Sequence, residues 1–403
     1  MPSAYGTYGT PVTPTSTLPF TGNTLMADPG LFYPDVVFGE LDKNVFDLYG
    51  QYKMSGAIDA PLWPSNGISL FMASIGTDNA TGYGITGTTS GWSTTTAGTV
   101  AVGASSVTVT SATGIVAGDI FQIDTNNVTS GTTAEIRQVD SSYTSGTTIP
   151  TTTVVHGAPA QFAGFLYAHA SGVTIAKVVA PFTHTIRQQN SLPSLTIERN
   201  IGDFESQQFT GCRVNKYSLK TQATNTEAQI VADIIAQNVN ILTTPSAVAA
   251  VVNESPFVFA EASLTAMSQT VGQVINCEID WSSGLKETYT MNQEHYLSYN
   301  TPTARVVSGK FDVVFSDLKN GNYNYFQQML NGTSGTLELV LAHPSNGGSV
   351  TVSLDKINIA KDDPAIKTGD IVIETVDFTA SYSLSTANTI GAVVVNSLFY
   401  PFY

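Results

Sequence analysis

Short runs that alternate apolar and polar residues recur along most of the chain. Each is closed by Gly, Asn, Asp or Ser, and this pattern constrains the fold to β-sheet. Val107–Thr110, Ile120–Ile123, Leu195–Glu198, Leu337–Leu341, Val350–Leu354, Lys356–Ile359 and Ile371–Phe378 read as strands. Helical spacing is confined to Ile68–Ile75 (ISLFMASI) and Tyr323–Leu330 (YNYFQQML), where aromatic and aliphatic residues cluster on one face. Glu227–Leu242 has the alanine content of a helix, but its Ile and Val density and its place in the repeat described below favour a strand. The expected class is mostly β with one or two short helices.

Composition narrows what such a chain does. At 403 residues it is long enough for two or three domains with real cores, and 42% hydrophobic residues exclude a disordered chain. Charged residues are only 12%, about half the usual share. Low charge with ample Thr, Ser, Gly and Asn suits β-rich proteins whose surfaces become buried in assemblies. Sixteen Lys and Arg stand against 31 Asp and Glu, a net charge of −15, which disfavours tight sequence-independent binding to a phosphate backbone. Two cysteines, Cys212 and Cys277, are too few for a disulfide scaffold; they read as two buried free thiols, with one bridge between them as the alternative. The first twenty residues lack the basic and apolar regions of a signal peptide, and no run of about 18 apolar residues occurs, so folding in a cytoplasm is expected.

Residues 1–21 read as an extended arm that is ordered only by packing on something else. Residues 93–157 break from their flanks: dense in Thr, Ser, Gly and Val, without Lys, they read as a small inserted β-barrel or sandwich. With that insertion set aside, an internal repeat emerges. Ser55-Gly56-Ala57-Ile58-Asp59 corresponds to Ser308-Gly309-Lys310-Phe311-Asp312. Each is followed, past Asn66-Gly67 or Asn320-Gly321, by one of the short helices and a Gly-Thr turn, with Phe71 and Phe326 in equivalent places. Val214–Leu219 then matches Leu354–Ile359, aligning Lys216 with Lys356, and Ile230-Val231 follows as Ile371-Val372 does. The expected organisation is a first unit at 22–92 and 158–246, interrupted by 93–157, and a second unit at 247–403.

No catalytic constellation stands out, and the chain reads as a non-enzyme without cofactor, catalytic or metal residues. His156, His169, His184, His295 and His343 form no metal-ligand spacing. Gly82-Tyr83-Gly84-Ile85-Thr86-Gly87 has dinucleotide-fingerprint spacing but no βαβ context, so it reads as turn glycine. Asp362-Asp363-Pro364 reads as a polar turn. Glu40 with Asp42, and Glu278 with Asp280, each place two carboxylates on one strand face, and read as solvated face or subunit contact rather than as an acid–base pair. The aromatic end, Leu398 to Tyr403, is too apolar to dangle and is expected to dock on a neighbouring domain or subunit.

Four stretches in order resemble the tail tube proteins of long-tailed bacteriophages: Met54–Gly76 (MSGAIDAPLWPSNGISLFMASIG), Pro181–Glu198 (PFTHTIRQQNSLPSLTIE), Phe209–Leu219 (FTGCRVNKYSL) and Val307–Leu341. The resemblance spans about residues 30 to 385, apart from the insertion, and its motifs are structural. It implies β-sandwich units flanked by helices whose inner sheets join around a ring, and rings that stack into a tube carrying double-stranded DNA into the host. Two units per chain then imply trimeric rings with pseudo-sixfold symmetry, with hexameric rings as the rival. The implied partners are further copies of the chain and other tail proteins such as the tape measure and tail terminator, with no membrane and no specific DNA binding. The implied location is the virion tail, assembled in the host cytoplasm. The competing reading is a secreted surface-layer or adhesin-like β-sandwich protein.

Overall fold

The structure, a computed structural model, describes residues 8–14, 16–33, 48–77, 85–124, 134–152, 164–165, 167–202, 205–223, 227–246, 251–291, 295–314, 324–344, 347–365 and 371–399. The chain opens with β1 (Gly22–Asn23), β2 (Met26–Asp28), β3 (Leu31–Phe32), β4 (Leu48–Tyr49) and β5 (Lys53–Pro61), followed by helix α1 (Ile68–Ile75). Next come β6 (Gly76–Thr77), β7 (Ile85–Thr95), β8 (Ser106–Thr108), β9 (Ile120–Ile123), β10 (Glu135–Gln138), β11 (Thr148–Pro150) and β12 (Thr174–Gln188). The first half ends with β13 (Leu195–Ile201), β14 (Glu205–Gln222), β15 (Gln229–Ala236) and β16 (Asn238–Leu242). The second half holds β17 (Ala262–Ala266), β18 (Gln269–Val271), β19 (Val274–Ser282), β20 (Leu285–Thr288), β21 (Tyr299–Pro302) and β22 (Val306–Val314). Helix α2 (Tyr325–Asn331) leads into β23 (Ser334–Ala342), β24 (Ser349–Ala365), β25 (Ile373–Ala380) and β26 (Ile390–Asn396). The fold is mostly β.

One antiparallel sheet runs β1/β2–β5–β15–β14–β19–β22–β25–β24. The N-terminal halves of β14 and β24 belong to a second layer. There β13–β14–β16 forms one part and β7–β12–β26–β24–β23–β17–β18 the other. The alternation read in the sequence has a direct structural meaning: in β15, Ile230, Ala232, Ile234 and Ala236 are buried while Gln229 and Val231 are exposed. One large core joins both layers and encloses α1.

Both halves of the chain follow the same plan, and strand register shows how closely. β5 and β22 are nine residues each, with Gly56 and Gly309 both fourth. A Cβ on Gly56 would lie 2.4 Å from Leu25 Cα, and one on Gly309 2.2 Å from the Glu278 carbonyl, so the preceding strand approaches too closely for any side chain. β14 is bulged between Val214 and Lys216 and β24 between Ile359 and Lys361, and beyond each bulge the Lys faces an Asp, Lys216 opposite Asp233 and Lys361 opposite Asp377. β13 and β23 also share a bulge, between Leu195 and Ile197 and between Gly335 and Leu337. Thr196-Ile197-Glu198 therefore stands where Thr336-Leu337-Glu338 does.

These registers correct several expectations. Lys216 matches Lys361, not Lys356, and Ile230 matches Glu374, so Ile371-Val372 lies outside the matched strands. Aligning the helices on their C-terminal glycines, Gly76 and Gly332, puts Phe326 opposite Leu70 rather than Phe71. Asp362 to Ala365 extend β24 rather than forming a turn, because pairing with β25 overrides the turn preference of Asp-Asp-Pro. Lys356–Ile359 and Val350–Leu354 are parts of that same strand. α1 spans the residues expected of it, and Glu227–Leu242 contains strands. Asn320-Gly321 and the start of the second helical run lie outside the described residues.

The inserted region is also wider than its composition break. β7 and β12 run from the main sheet into it, paired from Ile85–His184 to Thr95–Thr174 across two register shifts. Its separate core gathers Val107, Phe121, Ile123, Val139 and Ile149 with Phe165 and Ile175, and Trp92 packs against it. Set against the second unit, where α2 leads almost directly into β23, everything between Gly76 and Leu195 is additional.

Candidate functional site

The two units meet where β14 pairs with β19, from Lys216 opposite Ser282 to Gln222 opposite Asn276. On the core side, Tyr217 stacks on Trp281 at 4.7 Å with rings 22° apart, and Phe71 of α1 meets both edge-on at 5.8 and 6.0 Å. Trp281 Nε1 donates to Ser74 Oγ at 2.9 Å, and Ser74 donates on to the Phe71 carbonyl at 2.6 Å. This polar chain satisfies the buried indole N–H, whereas the Tyr217 hydroxyl in the same joint is buried with no hydrogen-bond partner among the described residues. Segment 251–258 adds a second clasp: Glu254 accepts from the Ser65 and Asn66 amides at 2.7 and 2.8 Å, and Asn66 exchanges hydrogen bonds with Val252.

On the opposite, solvent-facing side of this sheet, charges alternate in a row across strands. Lys220 is opposite Glu278, Glu278 opposite Lys310, Lys310 opposite Asp377, and Asp377 opposite Lys361. Lys310 Nζ lies 3.3 Å from Glu278 Oε2, and Lys216 Nζ lies 3.9 Å from Asp280 Oδ1. The Glu278 and Asp280 pair thus faces lysines from both neighbouring strands. That is charge pairing on a wet sheet surface, and it offers no divided acid and base.

Two ends of the eight-strand sheet remain open. At one end, β1 and β2 pair only with β5 among the described strands; at the other, the C-terminal half of β24 pairs only with β25. In the shared plan, β1 and β2 stand where β19 stands, and this half of β24 stands where β14 stands. The two open edges therefore carry the same two kinds of strand that the internal joint pairs, one at each end of the sheet. Near the β24 edge, burial first and then the Asp362 carboxylate, to which protonated Glu374 donates, push the Glu374 carboxyl up to about 8.

The remaining candidate residues do not converge. His169 Nε2 sits 2.8 Å from Glu135 beside Arg137 in the inserted module's buried ion cluster. His184 bonds Asn396 and the Leu398 carbonyl, His295 the Gly50 carbonyl, and His343 both Glu261 and the Ser255 carbonyl. Cys212 and Cys277 are unpaired and buried in β14 and β19, and burial pushes both thiols up to about 12, so neither is a thiolate nucleophile near neutral pH. Among the described residues no three His, Cys, Asp or Glu side chains gather to hold a metal. His156, Glu40, Asp42, Gly82 to Gly84 and the tail beyond Phe399 lie outside the described residues; Leu398 packs on the main core and Phe399 meets Phe182 at 6.1 Å. The arm is held by its own chain, with Tyr8 over the Arg213 guanidinium and the Val12 amide donating to Thr196 Oγ1.

Neither open edge was apparent from sequence patterning. The signals that point to them are the repeated Thr-(Ile/Leu)-Glu block and the matched Lys216 and Lys361, which align the units correctly. Compared with known proteins, the chain matches no family model and no curated protein.

Proposed function

We propose that the chain is a structural virion protein, the major subunit of a phage tail tube, which associates head to tail through its open edges into rings that stack around a DNA channel. The observation that carries the reading is the internal β14–β19 joint together with its two unmatched halves at the ends of the sheet. An exposed sheet edge invites pairing, and closing a ring removes both edges at once. Two units per chain mean that three chains supply six, and fusion holds the second unit at high effective concentration beside the first.

The charge row supports the channel role. Each lysine on that face stands beside a carboxylate, so the surface offers passing DNA no run of unopposed cations on which to lodge. The inserted module is carried by β7 and β12, in the layer away from that face, so with the charged face toward the lumen the module projects outward. The tape measure and tail terminator are the further partners of this reading, and the host cytoplasm its place of assembly.

Cryo-electron microscopy of concentrated purified protein tests it. Hollow filaments with three module protrusions per ring are expected. Six protrusions would mean six chains per ring, and protein that stays unassembled, or forms flat lattices as a surface layer would, contradicts the reading.

A further inference from the structure

We infer that a second copy of the chain seats its β1–β2 edge on β24 in the register of the internal joint, with Lys361 opposite Asp28, Asp362 opposite Ala27 and Asp363 opposite Met26. The inference rests on the head-to-tail reading above and assigns its contact residue by residue.

The register follows from partners shared within one chain. Ser282 pairs with Val306, the first residue of β22, and Asp28 pairs with Lys53, the first residue of β5, so Asp28 holds the place of Ser282. Lys361 holds the place of Lys216, by its bulge and its Asp partner. Since Lys216 faces Ser282 inside the chain, Lys361 faces Asp28 between chains.

Two further features agree with this register. The first is charge. Within one chain the solvent-side row reads Lys220, Glu278, Lys310, Asp377, Lys361, and within the next copy Asp28 faces Lys53. The inferred joint puts Lys361 against Asp28, so opposite charges continue to alternate across the boundary. A slip of one residue would put Lys361 opposite Ala27 and turn one strand's faces over.

The second is volume beside the helix. In the internal joint, small Ser74 of α1 receives large Trp281. Between chains the corresponding places are Leu330 of α2 and Ala27 of the second copy, so large and small exchange sides. Leu330 is 63% exposed and Phe326, one turn before it, 51% exposed, whereas their counterparts Ser74 and Leu70 are buried. The second copy is the element whose counterpart already covers α1. Pro364 brings no N–H to the ladder, and it lies one residue from the end of β24, where one missing bond is tolerated.

Cysteine pairs read the register directly in the full-length protein. Asp28→Cys with Lys361→Cys, and as a second in-register pair Met26→Cys with Asp363→Cys, are expected to cross-link chains in assembled filaments, giving dimers and closed trimers on denaturing gels and no longer ladder. Asp28→Cys with Asp363→Cys, two residues out of register, is expected to cross-link at least tenfold less. The buried Cys212 and Cys277 leave the wild-type background low. Filaments that form but cross-link only in the out-of-register pair, or in none, overturn the register and leave head-to-tail assembly standing. Chains that remain single by sedimentation and microscopy overturn both.

Discussion

α1 and α2 occupy the same place in two copies of one plan, each following a strand with an obligatory glycine and each leaving through Gly-Thr. Yet seven residues of α1 are buried, against Tyr325 alone in α2. The difference lies in what arrives from outside each unit. α1 packs on β14 of its own unit and is covered by Trp281 of β19, by β26 and by β12, and its sequence, ISLFMASI, is apolar nearly all round as a fully covered helix must be. α2 packs on β24 and leaves Phe326 and Leu330 facing out. Burial in this fold is therefore made by the neighbouring unit as much as by a helix's own, and the outer face of α2 is exposed where that of α1 is covered.

The strongest way to break that account is to remove the neighbour from α1. Trp281→Ala deletes the ring that stacks on Tyr217, meets Phe71 and donates to Ser74, leaving a cavity at the centre of the joint. A loss of about 3–5 kcal/mol in chemical denaturation is expected. A loss under about 1 kcal/mol would mean that the units hold together by the Glu254 clasp and the β12–β26 pairing instead.

A smaller effect tests whether the two units share close strand approach. Gly309→Ala forces a Cβ against the Glu278 carbonyl and the Phe378 ring, and about 1–3 kcal/mol of destabilisation is expected. Gly56→Ala meets the β1–β2 edge strand at the Leu25 backbone, which has no strand behind it among the described residues. It should cost less by thermal unfolding. Equal costs would remove the distinction between an inner strand and an open edge.

The same contrast marks what was legible in the sequence. Helix α1 and strand Ile120–Ile123 are readable because apolar spacing and punctuation agree locally. β14 and β24, at eighteen and seventeen residues, read as shorter pieces because their bulges shift the alternation by one residue midway. Asp-Asp-Pro reads as a turn because nothing local reveals that β25 pairs with it. The open edges are a property of the whole sheet, and only the cross-strand register, in which Lys361 rather than Lys356 faces Asp377, brings them out.

Titration separates the joints next. Glu374 stands where the first unit has Ile230, and its carboxyl is pushed up to about 8 by burial and by its bond with Asp362. Its folded value lies above the unfolded one near 4.3, so the folded chain holds the extra proton between those values. The stability from this group is full below pH 4 and is lost as pH rises through 8. A decline on the order of 2 kcal/mol between pH 5 and 9 is expected in urea titrations, and Glu374→Gln should flatten it. A slope unchanged by the substitution would remove Glu374 as its source.

The smallest effect on the single chain falls at α2. Leu330→Ser removes an apolar side chain that is largely in water already, so unfolding of the unassembled chain should move by no more than about 0.5 kcal/mol. The same change should weaken filament formation by at least tenfold in critical concentration, because Leu330 is the residue expected to be covered when a second copy arrives. Phe71→Ala, at the buried helix, should cost about 3–5 kcal/mol before any assembly is measured. If Leu330→Ser left assembly untouched while the chain stayed folded, α2 would be an outward face with no neighbour, and the likeness between the two joints would stop at the strands.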